Sequence, residues 1–270
     1  MAGKRLFVIA VLGLFGLASA VHAADVTFSG STTVLPIAQA VAEAYAGIYE
    51  IEVSGGGSSV GITALIDGTT RIANHSRSMK VSEYQSAVAK GVLPFTFHIA
   101  NDAIAPIVHP SNPISDLTLD QLKAIYEGSI TNWNQVGGGD APIVAVSRDS
   151  SSGTYETWAE IVMREAPVIA SAIYTTSNAD VAAEVSSNPN AIGYVGVAYL
   201  MPQIKALSVG GIVASVTTAI DFSFPISRPL FVSTNGFPVG PVRDVILWIL
   251  SDDGQRLVQS VGFAPIRVLP

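Results

Sequence analysis

Apolar residues recur along this chain in two alternating rhythms, a short extended run and then a helical stripe, with small polar residues wherever one gives way to the other. Val26-Thr27-Phe28 reads as a strand ending in Ser29-Gly30-Ser31-Thr32-Thr33. Beyond it Ile37, Val41, Ala44, Tyr45 and Ile48 fall at i, i+4, i+7, i+8 and i+11, one face of a helix. Pro36 stands in its first turn, where a missing N–H costs little. Ile51-Glu52-Val53 is the next strand and closes on Gly55-Gly56-Gly57-Ser58-Ser59. A second helix follows, with Ile62, Leu65 and Ile66 on one side and a stop at Gly68. Strand, Ser/Gly loop and helix, twice in succession, are the βα grammar of a parallel sheet.

Phe95 to Val108 is apolar and extended, interrupted by Asn101-Asp102 and followed by Pro110 and Pro113, as a strand leaving one lobe for another would be. Thr118-Leu119-Asp120-Gln121 has the capping-box pattern and opens a helix of Leu122, Ile125 and Tyr126. Ile143 to Val146 is a strand that delivers the chain to "SRDSSSGTYETW", Ser147 to Trp158, whose helix should bury Tyr155, Trp158, Ile161 and Val162. Ser177-Asn178-Ala179-Asp180 caps a further helix, and Ala191 to Val197 is a strand after the turn Asn188-Pro189-Asn190. Phe224 to Val232 reads as a return crossing. It leads to a helix with Val242, Ile246, Ile249 and Leu250 inward and a last one through Leu257, Val258 and Val261. Two crossings predict an α/β molecule of two lobes joined by two crossing strands, residues 24–102 with 226–270 and residues 103–225. Open α/β sheets bind ligands at the carboxyl ends of their strands, which places the expected site in the cleft between the lobes.

The N-terminus follows another logic. Lys4 and Arg5 precede the apolar run Leu6 to Val21, and small residues follow through Ala23, so residues 1–23 read as a cleaved secretory signal. The run is shorter than the ~20 apolar residues a span requires. The absence of cysteine excludes a disulfide framework, a thiolate metal site, a cysteine nucleophile and a lipid-modified cysteine. A free periplasmic protein is the expectation. Without Lys4 and Arg5, 12 basic residues remain against 21 acidic ones, a formal charge of −9. That surface argues against nucleic acid and anionic membranes as partners. It permits a buried anion, because distant charges are screened over ~8–10 Å.

Hydroxyl side chains cluster at three of the predicted helix starts: Ser31 to Thr33, Ser58 and Ser59, and Ser152 to Thr154. A helix N-terminus offers unpaired N–H groups and about half a positive charge, so it attracts anions without lysine. Singly, such residues are caps worth ~0.5–2 kcal/mol each. Three at one βα position, beside Arg77 and Arg148, point to an oxyanion site. A micromolar site needs ~8 kcal/mol, against ~1.5–3 kcal/mol for each hydrogen bond to a charged group, so several donors from both lobes must act together. Gly57-Ser58-Ser59-Val60-Gly61 also matches the G-x-S-x-G elbow of serine hydrolases, with Ser59 as nucleophile, but no histidine follows His109 to serve as its base. There is no P-loop, and His75, His98 and His109 lack metal-ligand spacing, so no metal, cofactor or catalytic residue is expected.

In this order, "FSGSTTVLPIAQAVAEAY", "VSGGGSSVGITALIDGT", "IANHSRSMK", "DAIAPIVHPSNPI", "LTLDQLKAIYEGSITNWNQVGG", "SRDSSSGTYETW", "NAIGYVGVAYL" and "FPISRPLFVSTNG" resemble the phosphate-binding proteins of ABC-type phosphate importers, the PstS type. The resemblance implies a type II periplasmic binding protein, non-enzymatic and monomeric, that closes over inorganic phosphate and delivers it to a membrane permease. Carried over, the ligand residues are Thr32 and Thr33, Ser58 and Ser59, Ser76 and Arg77, and Arg148, Ser152, Gly153 and Thr154. Arg77 stands where some members have an aspartate that accepts the phosphate proton, which leaves Asp149 or Asp102 as replacement acceptors. Arg71 stands where relatives have aspartate, a change without a physical account. Another tetrahedral oxyanion, sulfate or molybdate, is the alternative ligand.

Overall fold

Two long strands tie the molecule together. The computed structural model describes residues 24–269, and the leader read at 1–23 lies outside them. The first lobe begins β1 (Val26–Gly30), α1 (Leu35–Ala44), β2 (Ile51–Gly56), α2 (Ser58–Ile66), β3 (Ile72–His75) and α3 (Val81–Ala89). The long strand β4 (Pro94–Val108) then carries the chain into β5 (Asp116–Leu117), α4 (Leu119–Glu127), β6 (Val144–Arg148), α5 (Gly153–Ile161), β7 (Ile173–Thr175), α6 (Asn178–Ser187) and β8 (Ala191–Gly196). Short elements β9 (Lys205–Ala206), β10 (Ser208–Val209) and α7 (Val216–Ile220) follow. Strand β11 (Ser227–Asn235) returns to the first lobe, which α8 (Gly240–Leu250) and α9 (Asp252–Ser260) complete.

The hydrogen-bonded path runs β2-β1-β3-β11-β4-β8-β6-β7, with β9 beside β4. β1 is parallel to β2 and β3, and β6 is parallel to β7 and β8, so each lobe has a parallel βα half. Strand β4 changes partner in mid-course: Pro94 to Ala103 pair antiparallel with β11, and Ile104 to Val108 pair with β8. The switch at Ala103/Ile104 separates two cores. One gathers Val26, Phe28, Ile37, Val41, Leu230 and Ile246; the other gathers Leu122, Tyr126, Trp133, Trp158, Tyr194 and Phe224.

Several elements depart from the sequence reading. α1 ends at Ala44, and Ile48 is exposed, while Tyr45 stacks on Tyr49 and meets the edge of Trp248. α5 buries Thr154, Thr157 and Trp158, and Tyr155 and Ile161 stay half-buried. The reason is that its first turn faces the opposite lobe, so the buried stripe begins with threonine. The return strand starts at Ser227, because Phe224 is buried in the second core and the Ser227 N–H turns back to the Phe224 carbonyl. α9 buries Val258 with Gly254 and Gln255 and leaves Leu257 and Val261 half-buried.

Candidate functional site

The three Ser/Gly helix starts are built differently. α5 has a conventional cap, with Ser152 Oγ accepting from the Tyr155 N–H at 3.2 Å. α2 has none: its cap position is Gly57 at φ 101°, and Ser58 lies in the first turn. α1 has none either, and Ser31 Oγ accepts from the Thr33 and Val34 N–H groups just before it. The Thr32, Thr33 and Ser58 hydroxyls are therefore not consumed in capping.

The lobes bring these loops together. Thr33 Oγ1 and Thr154 Oγ1 are 2.9 Å apart across the cleft. Ser58 Oγ accepts from the Ser76 N–H at 3.0 Å and lies 3.3 Å from Ser76 Oγ. A Cβ on Gly153 would fall 2.4 Å from Ser58 Oγ and 2.7 Å from Ser76 Oγ, so only glycine allows this approach. Nearby, the Ser59 N–H donates to the Ser151 carbonyl at 3.1 Å and Ser151 Oγ donates to the Gly56 carbonyl at 3.0 Å. Thr32, Thr33, Ser58, Ser76, Ser152 and Thr154 are all buried.

Arg148 ends β6, four residues before the Ser152 cap of α5 in the second lobe. It is 1% exposed, with Nε and Nη2 donating to the Thr175 and Thr176 carbonyls at 3.3 and 2.8 Å. Its Nη1 has no partner. Burial pushes this guanidinium below its ordinary pKa, against the pull of Asp149. A buried cation with an unspent donor among uncharged hydroxyls is chemistry for an anion.

Two contributors escaped the sequence reading. Asn178, the first residue of α6, donates through Nδ2 to Thr32 Oγ1 at 3.2 Å and Thr33 Oγ1 at 3.1 Å. Its signal was hidden in the Ser177 capping motif, and Ser177 Oγ does accept from the Asp180 N–H at 3.0 Å. Arg228 on β11 donates to Asp102 Oδ2 from Nε and Nη2, to the Ser76 carbonyl, and to Thr33 Oγ1 and Thr154 Oγ1. Burial raises the Asp102 carboxyl, opposed by Arg228, and lowers Arg228, opposed by Asp102. One observable clue to Arg228 was an arginine inside an apolar crossing strand, where a buried charge demands a partner.

Arg77 and Ser59, which follow Ser76 and Ser58, are tied into a charge network. Arg77 makes two 2.7 Å bonds to Glu83 and a 2.7 Å contact from Nε to Glu156 on α5, and Nη2 donates to Ser59 Oγ at 2.9 Å. Burial works against the Arg77 charge, but the two glutamates overcome it and hold its pKa above the ordinary value. Glu156 also binds Lys80 at 3.0 Å. These charges form an ion network across the lobe boundary, and Ser59 is part of it rather than of a nucleophile–histidine pair. The histidine nearest in sequence, His75, is buried, with Nδ1 on the Arg77 carbonyl and Nε2 on Ser233 Oγ, both at 2.7 Å. Of the two aspartates considered as proton acceptors, Asp102 receives Arg228 and the Val197 N–H, and Asp149 Oδ1 receives the Ser151 N–H and hydroxyl. Among the described residues no three His, Cys, Asp or Glu groups are placed to hold a metal ion.

Comparison with known proteins follows the same line. Residues 18–253 match the family model of the PBP superfamily domain. The chain is 32% identical to the phosphate-binding protein PstS of Borreliella burgdorferi over 90% of each chain. With PstS of Bacillus subtilis it is 29% identical, over 90% of this chain and 81% of that one. A Clostridium perfringens structure with bound phosphate, described as a phosphate ABC transporter substrate-binding protein, superposes with a TM-score of 0.83 at 35% identity, covering 90% of this chain and 99% of that one. An ABC-type phosphate transport receptor from Vibrio cholerae gives 0.71 at 29% identity, covering 89% of this chain and 99% of that one.

Proposed function

The chain belongs to the PBP superfamily and, within it, to the phosphate-binding proteins of the PstS type, and from that premise we propose that it captures inorganic phosphate between its lobes for an ABC importer. The observations that carry the reading are Arg148, buried with Nη1 unpartnered just before α5, and the hydroxyls of Thr33 and Thr154 that converge from the two lobes. Thr32, Thr33, Ser58, Ser76, Arg148, Ser152, Gly153 and Thr154 form the cage in this proposal, with backbone N–H groups of the helix starts as further donors. Arg77 and Ser59 serve in it as a clasp between lobes, through Glu156, instead of as ligand donors. The lobes, residues 24–102 with 226–270 and residues 103–225, hinge where β4 changes partner beside the start of β11.

The protein acts in this reading as a monomer in the periplasm, exported by the leader at 1–23, and hands phosphate to a permease of the inner membrane without chemical change. The hydrolase reading gains no support from Ser59, whose hydroxyl is held between Arg77 and Glu156. Calorimetric titration of the mature, ligand-stripped protein with phosphate, arsenate, sulfate and molybdate at pH 6 and pH 8 tests the proposal. Tight binding of phosphate and arsenate is expected. Failure to bind phosphate, or a preference for sulfate or molybdate, would overturn it.

A further inference from the structure

Asn178 and Arg228 touch the cleft hydroxyls from behind and fix the direction of their hydrogen bonds. A hydroxyl has one proton and two lone pairs, an arginine can only donate, and an amide can do either according to which way it faces. The Gly196 N–H donates to Asn178 Oδ1 at 3.3 Å, so the amide is oriented with Nδ2 toward Thr32 and Thr33. Asp102 holds Arg228 by two bonds to Oδ2, at 3.1 and 2.9 Å. Nη2 has two hydrogens, one directed to Asp102 and the other shared between Thr33 Oγ1 at 3.1 Å and Thr154 Oγ1 at 2.9 Å.

The consequences follow oxygen by oxygen. Thr33 Oγ1 receives hydrogens from Asn178 and Arg228, which engage both lone pairs, and its own proton goes to Thr154 Oγ1 at 2.9 Å. Thr154 Oγ1 then holds hydrogens from Arg228 and Thr33, and its remaining proton is the group left for a ligand. The Thr33–Thr154 pair can give a hydrogen bond and cannot take one, whereas Thr32 Oγ1, which receives Asn178 alone, keeps a lone pair. Acceptor capacity survives at the other end: Ser58 Oγ has spent one lone pair on the Ser76 N–H, and the Ser58–Ser76 pair can be oriented either way.

Deepening the phosphate reading and resting on it, we propose that Asn178 and Arg228 are positioning residues that polarise the Thr33–Thr154 pair into donors. The cleft thereby receives an unprotonated oxygen of a tetrahedral anion at the Thr33–Thr154 pair and leaves a protonated oxygen to groups that can still accept, Ser58–Ser76 and Thr32. A pocket wired in this way discriminates between protonation states of its ligand without a carboxylate in contact with it.

The test compares phosphate affinity at pH 6, where the monoanion dominates, with that at pH 8, where the dianion does, using calorimetry on the whole mature chain. Sulfate, which does not change ionisation in this range, is the control. Asn178→Leu frees a lone pair on Thr33 and adds no charge, so affinity at pH 6 relative to pH 8 is expected to rise about tenfold, the worth of one hydrogen bond to a charged group. Replacing both hydroxyls of the pair, Ser58→Ala with Ser76→Ala, removes the acceptor and is expected to move the ratio the other way. Circular dichroism melts establish that both variants fold; if Asn178→Leu does not, the direction of the shift in the Ser58→Ala, Ser76→Ala variant decides. A ratio unchanged from the unsubstituted protein, however far absolute affinity falls, would show a merely structural role and overturn the proposal. An unsubstituted protein that binds neither anion would overturn the phosphate reading itself, and this inference with it.

Discussion

Single residues at the cleft show how much of the molecule's polarity is concentrated there. Arg148→Ala removes the buried guanidinium while the Thr175 and Thr176 carbonyls it holds stay at the end of β7, where water can reach them. Two charge-assisted bonds to the ligand are worth ~3–6 kcal/mol, so phosphate affinity should drop by at least about a hundredfold. Titration of a variant whose melting curve is intact measures this. His75 makes a different prediction. It is buried and its pKa is lowered to about 4, chiefly by burial, with the charge of Arg77 adding to that and the Arg77 carbonyl and Glu83 opposing it. The unfolded chain takes up a proton near the ordinary value of ~6.5 and the folded one does not until about 4, so the unfolded state binds more protons in that window. Stability is therefore complete above pH 6.5 and falls as the pH drops toward 4, by on the order of 3 kcal/mol if this group acts alone. Urea unfolding between pH 4 and 7 would show the slope, and His75→Leu should flatten it.

At the scale of elements, legibility depended on whether a segment carried its own signal. The α4 capping box was readable because its two bonds are local, Thr118 Oγ1 accepting from the Gln121 N–H and Gln121 Oε1 from the Thr118 N–H, at 3.1 and 2.9 Å. The return strand begins at Ser227 although the apolar run reads from Phe224, whereas β4 was readable as a long extended apolar run. α3 was not, because it buries only Ala87 and shows no stripe, and with it Glu83 and the fate of Arg77 were invisible. Residue types marked the three hydroxyl loops, but which hydroxyls cap a helix and which face the cleft depends on contacts with distant segments such as Asn178 and Arg228. Gly153 illustrates the same point, since its need for hydrogen is imposed by Ser58 and Ser76 from the other lobe. Gly153→Ala should leave each lobe's melting nearly unchanged while preventing their close approach. Phosphate affinity should fall by at least about tenfold and the radius of gyration with phosphate present should exceed that of the unsubstituted protein, as small-angle scattering would measure.

Across the whole molecule the two lobes touch through an ion network as well as through the residues proposed to bind phosphate. Glu156 of α5 meets Arg77 and Lys80 of the first lobe, while Glu83, already in that lobe, secures Arg77 independently. Glu156→Gln should therefore spare the fold and weaken closure, lowering phosphate affinity several-fold, with a smaller loss on adding salt than the unsubstituted protein shows. Titrations at low and high salt measure both effects. The placement of β11 has a consequence in time. It lies between β3 and β4, so the first lobe's sheet stays divided until the stretch from Ser227 onward has been made, whereas all strands between Ile104 and Gly196 have by then emerged. A chain emerging N-terminus first thus presents the strands of the second lobe while β3 and β4 still carry bare edges. Until then those edges are open to pairing with another chain, and the last strand synthesised is the one that covers them.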